Sequence, residues 1–167
     1  MLKQINISEL SNNVFELISK DWGILTVQTG EKANGMTVSW LQMGHLWNKN
    51  VITVYVRPQR YTYPFINDED TFSLAFFDEK YRKELSYLGS KSGRDFDKLA
   101  QCEMTSSVVD NTPVINEAKL VFVCKKLYVH DLKEEEFLNK DIDKKEYAKK
   151  DYHRVYVGEI TSVLVQE

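Results

Sequence analysis

The stretch "RPQRYTY", Arg57 to Tyr63, directly follows an apolar, β-branched run, "VITVYV", Val51 to Val56. A surface turn at the end of a strand would ordinarily be built from Gly, Asn or Asp. This corner instead collects two arginines, a proline, two tyrosines and a threonine within seven residues. Such a concentration of positive charge and aromatic rings predicts a ligand site at the end of a buried strand.

The chemistry of this corner suits an anion, and a phosphate above all. Thr62 is a good helix N-cap, and Pro64 is tolerated in a first helical turn, so the sequence predicts a helix that begins here. The free amides of that helix start, together with Arg57 and Arg60, would bind a phosphate. In the alternative, the two arginines pair with surface carboxylates and Thr62 only caps the helix. The residues of the corner leave both interpretations open.

The neighbouring stretch "ANGMTVSWLQMGHLWNKN", Ala33 to Asn50, contains a single charged residue, Lys49, although it carries many polar side chains beside Trp40 and Trp47. Uncharged hydrogen-bonding groups beside aromatic rings suit a planar heteroaromatic ligand. The alternative is a buried strand in which the tryptophans only pack.

A third segment, "GSKSGRDFDK", Gly89 to Lys98, places Lys91, Ser92 and Gly93 between two predicted helices. Small residues, a cation and a new helix start again suit an anion, although Ser-Gly turns are also common in purely structural loops.

The remaining pattern is that of a mainly β protein. Short β-rich segments are followed by two long strands that are apolar on both faces, Lys119 to Val129 and Arg154 to Val165. Asn34-Gly35 predicts a hairpin turn between the first two strands. The charge-rich segment 132–152 predicts a solvated helical excursion without catalytic content. We therefore expect one domain over residues 1–167, built as a closed, Greek-key-like antiparallel barrel with peripheral helices.

Composition excludes several classes of function. The formal net charge is −3 and the pI is about 5.7, which argues against bulk nucleic-acid binding. No apolar stretch approaches the roughly 20 residues of a membrane span, and the first residues lack the pattern of a signal peptide. Cys102 and Cys124 are not in metal-ligand spacing. These features predict a cytoplasmic protein without a metal site.

Taken in order, "NGMTVSW", "GHLWNK", "VRPQRYTY" and "GSKSGRDFDK" resemble the flavin reductase-like family, whose members have an FMN-binding split β-barrel fold and include flavoredoxin. The resemblance covers residues 22–98 well, and "HRVYVGEI", from His153, is similar to the closing strand of the family.

This resemblance implies a homodimer with non-covalent FMN near the subunit interface. Residues 36–40 would line the isoalloxazine, namely Met36, Thr37, Val38, Ser39 and Trp40. The ribityl phosphate and its loop would involve Arg57, Arg60, Tyr61 and Thr62, and the site would be closed by Lys91, Ser92 and Gly93. His153 would lie near the flavin or the nicotinamide; without the resemblance it would be a partly exposed loop histidine with no role.

The leading hypothesis for function is an FMN-dependent oxidoreductase that transfers hydride from NADH or NADPH to flavin N5. The alternative is a flavoredoxin-like electron carrier that has no nicotinamide site and serves a redox partner protein. A barrel that has lost its ligand is the third possibility. The sequence does not choose between NADH and NADPH.

Overall fold

The computed structural model describes all residues from Met1 to Glu167. The chain forms ten strands: β1 Leu2–Ile5, β2 Gly23–Thr29, β3 Lys32–Val38, β4 Leu41–Leu46, β5 Lys49–Val56, β6 Thr71–Phe76, β7 Ser106–Val109, β8 Thr112–Ile115, β9 Leu120–Asp131 and β10 Arg154–Gln166. The α-helices are α1 Val14–Glu16, α2 Thr62–Asp68, α3 Arg82–Ser90, α4 Lys98–Gln101 and α5 Lys140–Glu146. Short 3₁₀ turns lie at Ile7–Glu9, Glu79–Tyr81 and Glu134–Glu136, and one π-type turn at Leu17–Asp21 follows α1. None of these helices is long and apolar enough to serve as a membrane span.

Eight strands form one antiparallel sheet. Its order is β3-β2-β6-β9-β10-β5-β4, and β1 adds to β10. The first half of β10 pairs with β5 and its last four residues pair with β1, while β9 runs along its other side. The two long strands predicted from the sequence therefore lie at the centre of the sheet.

The two edge strands of this sheet, β3 and β4, are consecutive in the chain. Only Ser39 and Trp40 join them, and so short a link spans no more than about 10 Å. The sheet must therefore curl until its two edges meet at this link. No ladder joins β3 to β4, so the mainly β class is confirmed but the closed barrel is not.

Both faces of the sheet are covered by apolar residues. Neighbouring residues of one strand, such as Ile24 and Leu25, belong to two different core clusters, as the alternation of side chains in a strand requires. One cluster includes Ile66 of α2, and the other includes Leu85 of α3 and Leu99 of α4. This double coverage explains why the long strands are apolar on both faces.

The predicted hairpin turn at Asn34-Gly35 is wrong. The turn lies at Gly30 and Glu31, and Gly30 has the positive φ of 65° that glycine adopts most readily. Asn34 and Gly35 lie inside β3 and are buried. A Cβ atom on Gly35 would lie 2.9 Å from the Cγ2 atom of Ile24, so packing requires glycine there. A tertiary contact, not turn chemistry, explains this dipeptide.

Candidate functional site

Two adjacent clefts meet at Met36 of β3 and at Arg60. The first, which we call the corner cleft, has a volume of about 280 Å³. Its lining comes from the β3–β4 corner, β5 and the loop after it, α3, α5 and the segment before β10: Met36, Thr37, Val38, Ser39, Trp40, Tyr55, Arg57, Arg60, Gly89, Glu146 and His153.

The second cleft, which we call the cationic cleft, has a volume of about 230 Å³. It is lined mainly by the loop before α2 and the loop after α3: Met36, Gln59, Arg60, Tyr61, Thr62, Ser90, Lys91, Ser92, Gly93, Arg94 and Lys98. Met36 and Arg60 line both clefts. Every residue that the sequence placed at the site lines one of these two clefts.

The cationic cleft has four cationic side chains and no carboxylate. They are those of Arg60, Lys91, Arg94 and Lys98. Lys98 is only 5% exposed, and its Nζ donates to the carbonyl of Leu88 at 2.9 Å. The Arg60 Nη2 donates to the carbonyl of Gly89 at 3.0 Å. Both bonds satisfy the carbonyl end of α3, but they leave the charges unneutralised by any acid.

The electrostatics of this cleft favour an anionic guest. Burial, followed by the charge of Arg60, lowers the pKa of Lys98 from its usual value to about 8. Burial also lowers the pKa of Arg60. Both groups remain charged at pH 7, so a phosphate would neutralise charge that the protein itself does not.

Gly93 allows the loop after α3 to approach the cationic cleft closely. A Cβ atom there would collide with the Tyr61 ring and would lie 2.5 Å from Oδ1 of Asn34. The guanidinium of Arg94 covers the Tyr61 ring with 5.8 Å to the centroid. The loop is therefore fitted against Tyr61 with no room for a side chain at position 93.

The predicted N-cap at Thr62 is wrong by one residue. The N-cap is Tyr61, and Thr62 is the first helical residue, with its hydroxyl accepting a 2.9 Å hydrogen bond from Nδ2 of Asn34. The helix that follows the loop after α3 is α4, which starts only at Lys98 and is capped by Asp97, whose carboxylate accepts from the Ala100 amide. Thr62 and Lys98, the first residues of α2 and α4, both line the cationic cleft beside its other cations.

Arg57 and Arg60 have different environments. Arg57 lies 2.7 Å from the Asp151 carboxylate, and its Nη2 donates to the carbonyl of Glu146 at 2.9 Å. Its guanidinium also covers the Tyr147 ring, 5.0 Å from the centroid. The pairing of arginine with a carboxylate, the alternative left open by the sequence, describes Arg57 but not Arg60. Arg57 fastens the excursion to the corner cleft.

His153 is buried, with 7% of its surface exposed, so a partly exposed loop histidine is wrong. Its Nδ1 lies 2.7 Å from the Tyr147 hydroxyl, and its ring centroid is 5.2 Å from that of Trp40. Burial, aided by the charge of Arg57, lowers the pKa of His153 to about 4. The imidazole is therefore neutral at pH 7, and its Nε2 has no hydrogen-bond partner in the protein.

Sequence reasoning missed several residues of the site. Lys98 closes the segment "GSKSGRDFDK", but its own neighbours, Asp97 and Leu99, carry no local signal for an anion site. Tyr55 lies in the apolar strand β5 and lines the corner cleft without any local signal. Glu146 and Tyr147 belong to the excursion that was interpreted as solvated, yet they contact Arg57 and His153.

The sequence model of the flavin reductase like domain matches residues 16–167. The chain therefore belongs to the flavin reductase-like family. No curated protein matches the sequence.

Solved structures show the same fold as this flavin reductase-like domain. A flavoredoxin from Methanosarcina acetivorans is 22% identical with a TM-score of 0.70, covering 99% of this chain and 76% of its own. An FMN-binding protein from Thermus thermophilus is 17% identical with a TM-score of 0.68, covering 99% and 82%. An NADH:FAD oxidoreductase of Streptomyces globisporus C-1027 is 14% identical with a TM-score of 0.64, covering 87% and 74%. At these identities the likeness establishes the fold alone.

Proposed function

We propose that this protein binds FMN and catalyses its reduction by NADH or NADPH. The observation that carries the proposal is the cationic cleft, in which four cations and no carboxylate face one space in a protein of net charge −3. A phosphate monoester is an anion that can take several donors at once. The relatives support the choice of flavin, since one is described as an FMN-binding protein and another as an NADH:FAD oxidoreductase.

The shape of the two clefts fits the two ends of FMN. The cationic cleft would hold the phosphate through Arg60, Lys91 and Lys98. The corner cleft, which adjoins it through Met36 and Arg60, would hold the isoalloxazine against the backbone of residues 36–40. Each cleft alone is below the usual volume of a cofactor site, about 300–1,000 Å³, while the two together fall within it.

Bound FMN would supply the redox chemistry by accepting hydride at N5. The protein would supply position and electrostatics. Trp40 is 45% exposed and forms the open side of the corner cleft, where a nicotinamide could reach the flavin. A neutral imidazole at His153 would orient the reactants through Nε2 and would not transfer a proton in the hydride step.

A titration of the purified protein with FMN and with riboflavin tests the binding half of the proposal. FMN should bind at least tenfold more tightly, because riboflavin lacks the phosphate that the cationic cleft addresses. Equal affinities would contradict the assignment of that cleft.

The visible spectrum tests the catalytic half. Anaerobic addition of NADH or NADPH to the FMN-loaded protein should bleach the flavin absorbance, either during mixing or in the minutes that follow. A flavin that stays oxidised with both nucleotides, yet is reduced by dithionite, would instead support a flavoredoxin-like carrier.

A further inference from the structure

A third cleft opens beside the corner cleft, between the β4–β5 side of the sheet and the excursion. This apolar cleft has a volume of about 530 Å³ and is lined mainly by hydrophobic side chains, among them Trp40, Tyr55, Leu132, Phe137, Ile142 and Tyr147. A cleft of this volume, apolar with a few polar groups at its edge, has the composition of small-molecule sites. In the placement proposed above, the FMN phosphate would lie in the cationic cleft and the ring system in the corner cleft, which would leave this third cleft free.

The apolar cleft is continuous with the corner cleft. Trp40 and Tyr55 line both spaces. Tyr147 contacts residues of both clefts. Its hydroxyl lies 2.7 Å from Nδ1 of His153 in the corner cleft, and its ring centroid lies 5.4 Å from that of Phe137 in the apolar cleft. A molecule in the apolar cleft would therefore lie next to a flavin ring held in the corner cleft.

The charges at the edge of the apolar cleft disfavour an anion. Asp141 and Glu146 contribute two carboxylates, against one cation, Lys145. The Lys145 side chain lies 3.6 Å from the Glu146 carboxylate, so these two charges offset each other and Asp141 leaves the edge with a net negative charge. This is the opposite of the cationic cleft, and the diphosphate of a nicotinamide nucleotide would find repulsion here.

We propose that the apolar cleft binds a flat, uncharged aromatic molecule beside the proposed flavin site. Aromatic walls from Trp40, Tyr55 and Phe137 suit a planar ring. The inference rests on the proposed FMN function only in placing a flavin beside this cleft. The cleft itself and its preference for an uncharged ring follow from the lining residues.

Calorimetric titration with 2-naphthol at pH 7 tests the proposal on the FMN-saturated protein and on the protein without FMN. The key variant is Ile142→Asp, which places a carboxylate on the wall of the apolar cleft at a residue that is 48% exposed. Its dissociation constant for 2-naphthol should rise at least tenfold. The matched control is Leu138→Asp on the same excursion, because Leu138 is 99% exposed and lines no part of this cleft; its affinity should stay within twofold of wild type.

The ligand 2-naphthoate provides the second comparison, because it adds one negative charge to the same ring system. It should bind at least tenfold more weakly than 2-naphthol. Equal binding of the two ligands, or equal weakening by both variants, would overturn the proposal. Phe137→Ala, which removes an aromatic wall without adding charge, should also weaken 2-naphthol, so a folding defect of Ile142→Asp would not leave the question open.

Two further measurements distinguish this inference from the proposed function and from the alternative that a second copy of the chain covers the cleft. Failure to bind FMN, with 2-naphthol binding still sensitive to Ile142→Asp, would refute the flavin function and support the cleft. FMN binding without any 2-naphthol binding would refute the inference alone. Light scattering on Ile142→Asp should give the same mass as wild type, and a fall to half that mass would show that a second copy covers the cleft.

Discussion

The Tyr147 hydroxyl lies 2.7 Å from Nδ1 of His153, and this bond joins the helical excursion to the corner cleft. The same tyrosine ring lies under the guanidinium of Arg57. The excursion thus holds a neutral, buried histidine in one orientation against Trp40. An element whose charge pattern suggests a solvated surface forms one wall of the candidate site.

Replacing His153 by Ala should raise KM for the nicotinamide nucleotide or slow flavin reduction by about three- to tenfold while FMN stays bound. The physical reason is the loss of an oriented neutral imidazole beside Trp40, which is a loss of positioning. Stopped-flow reduction of the FMN-loaded protein measures the rate. Traces that overlay those of the wild type would leave His153 with a packing role only.

Acidification should destabilise the protein through His153. Its pKa is about 4 in the folded protein against an ordinary 6.5, so between these values the unfolded chain binds the proton more readily. The contribution of neutral His153 to the free energy of unfolding is therefore complete above pH 6.5 and is lost as the pH falls toward 4. Between pH 8 and pH 5 the loss should be about 2 kcal/mol.

Urea unfolding at pH 8 and pH 5 measures this effect, with His153→Gln as the comparison. Most carboxylates remain ionised at pH 5, which keeps the window specific for histidine. The Gln variant should show a correspondingly smaller difference between the two pH values. An equal difference in both proteins would show that another group is responsible.

Arg60→Ala and Arg57→Ala should mainly affect different properties, FMN affinity for the first and stability for the second. Arg60→Ala should weaken FMN binding at least tenfold, because a charge-assisted bond to phosphate is lost, and should lower the melting temperature of the apo form less than Arg57→Ala does, because it removes a bond to the Gly89 carbonyl but no ion pair. Arg57→Ala should cost about 2 kcal/mol of stability, because it removes a partly buried ion pair with Asp151 and the bond to Glu146. Fluorescence titration with FMN and thermal melts of both variants provide the test, and similar profiles for the two would contradict their separate roles.

Much of the fold could be predicted because its signals are local. The two long strands are recognisable from runs of β-branched and aromatic residues, and the structure has β9 and β10 there. What no local pattern contains is the meeting of the sheet edges at Ser39 and Trp40, which follows only from the order of all strands.

The errors arose where tertiary contacts override local chemistry. Asn34-Gly35 has the composition of a turn, but Asn34 is buried because it donates to Thr62 and Gly35 because Ile24 packs against it. Arg57 and Arg60 look equivalent in "RPQRYTY", yet only one of them meets a carboxylate, Asp151, which is 94 residues further along the chain. A single sequence cannot reveal such a partner.

Gly93→Ala should lower FMN affinity at least tenfold and reduce stability. The added methyl group would collide with Tyr61 and Asn34, which would push the loop with Lys91 and Arg94 away from the cationic cleft. Gly44→Ala is the matched control, since a Cβ atom there would meet nothing within 4 Å. Equal FMN affinities of the two variants would show that the close approach at Gly93 does not shape the cleft.

The last prediction is a homodimer. Trp47 is 54% exposed and packs edge-on against Tyr128, itself 52% exposed, with ring centroids 6.0 Å apart. Apolar patches of this kind mark interfaces, and a symmetric dimer would bury the same surface on both copies.

Light scattering at micromolar concentration should give twice the 19.5 kDa of one chain. Trp47→Glu should shift the mass toward the monomer by placing a charge in the patch, while Phe15→Glu, at a residue that is 84% exposed elsewhere in the chain, should not. A monomeric wild type, or a Trp47→Glu variant that keeps the full dimer mass, would show that this patch is not the interface.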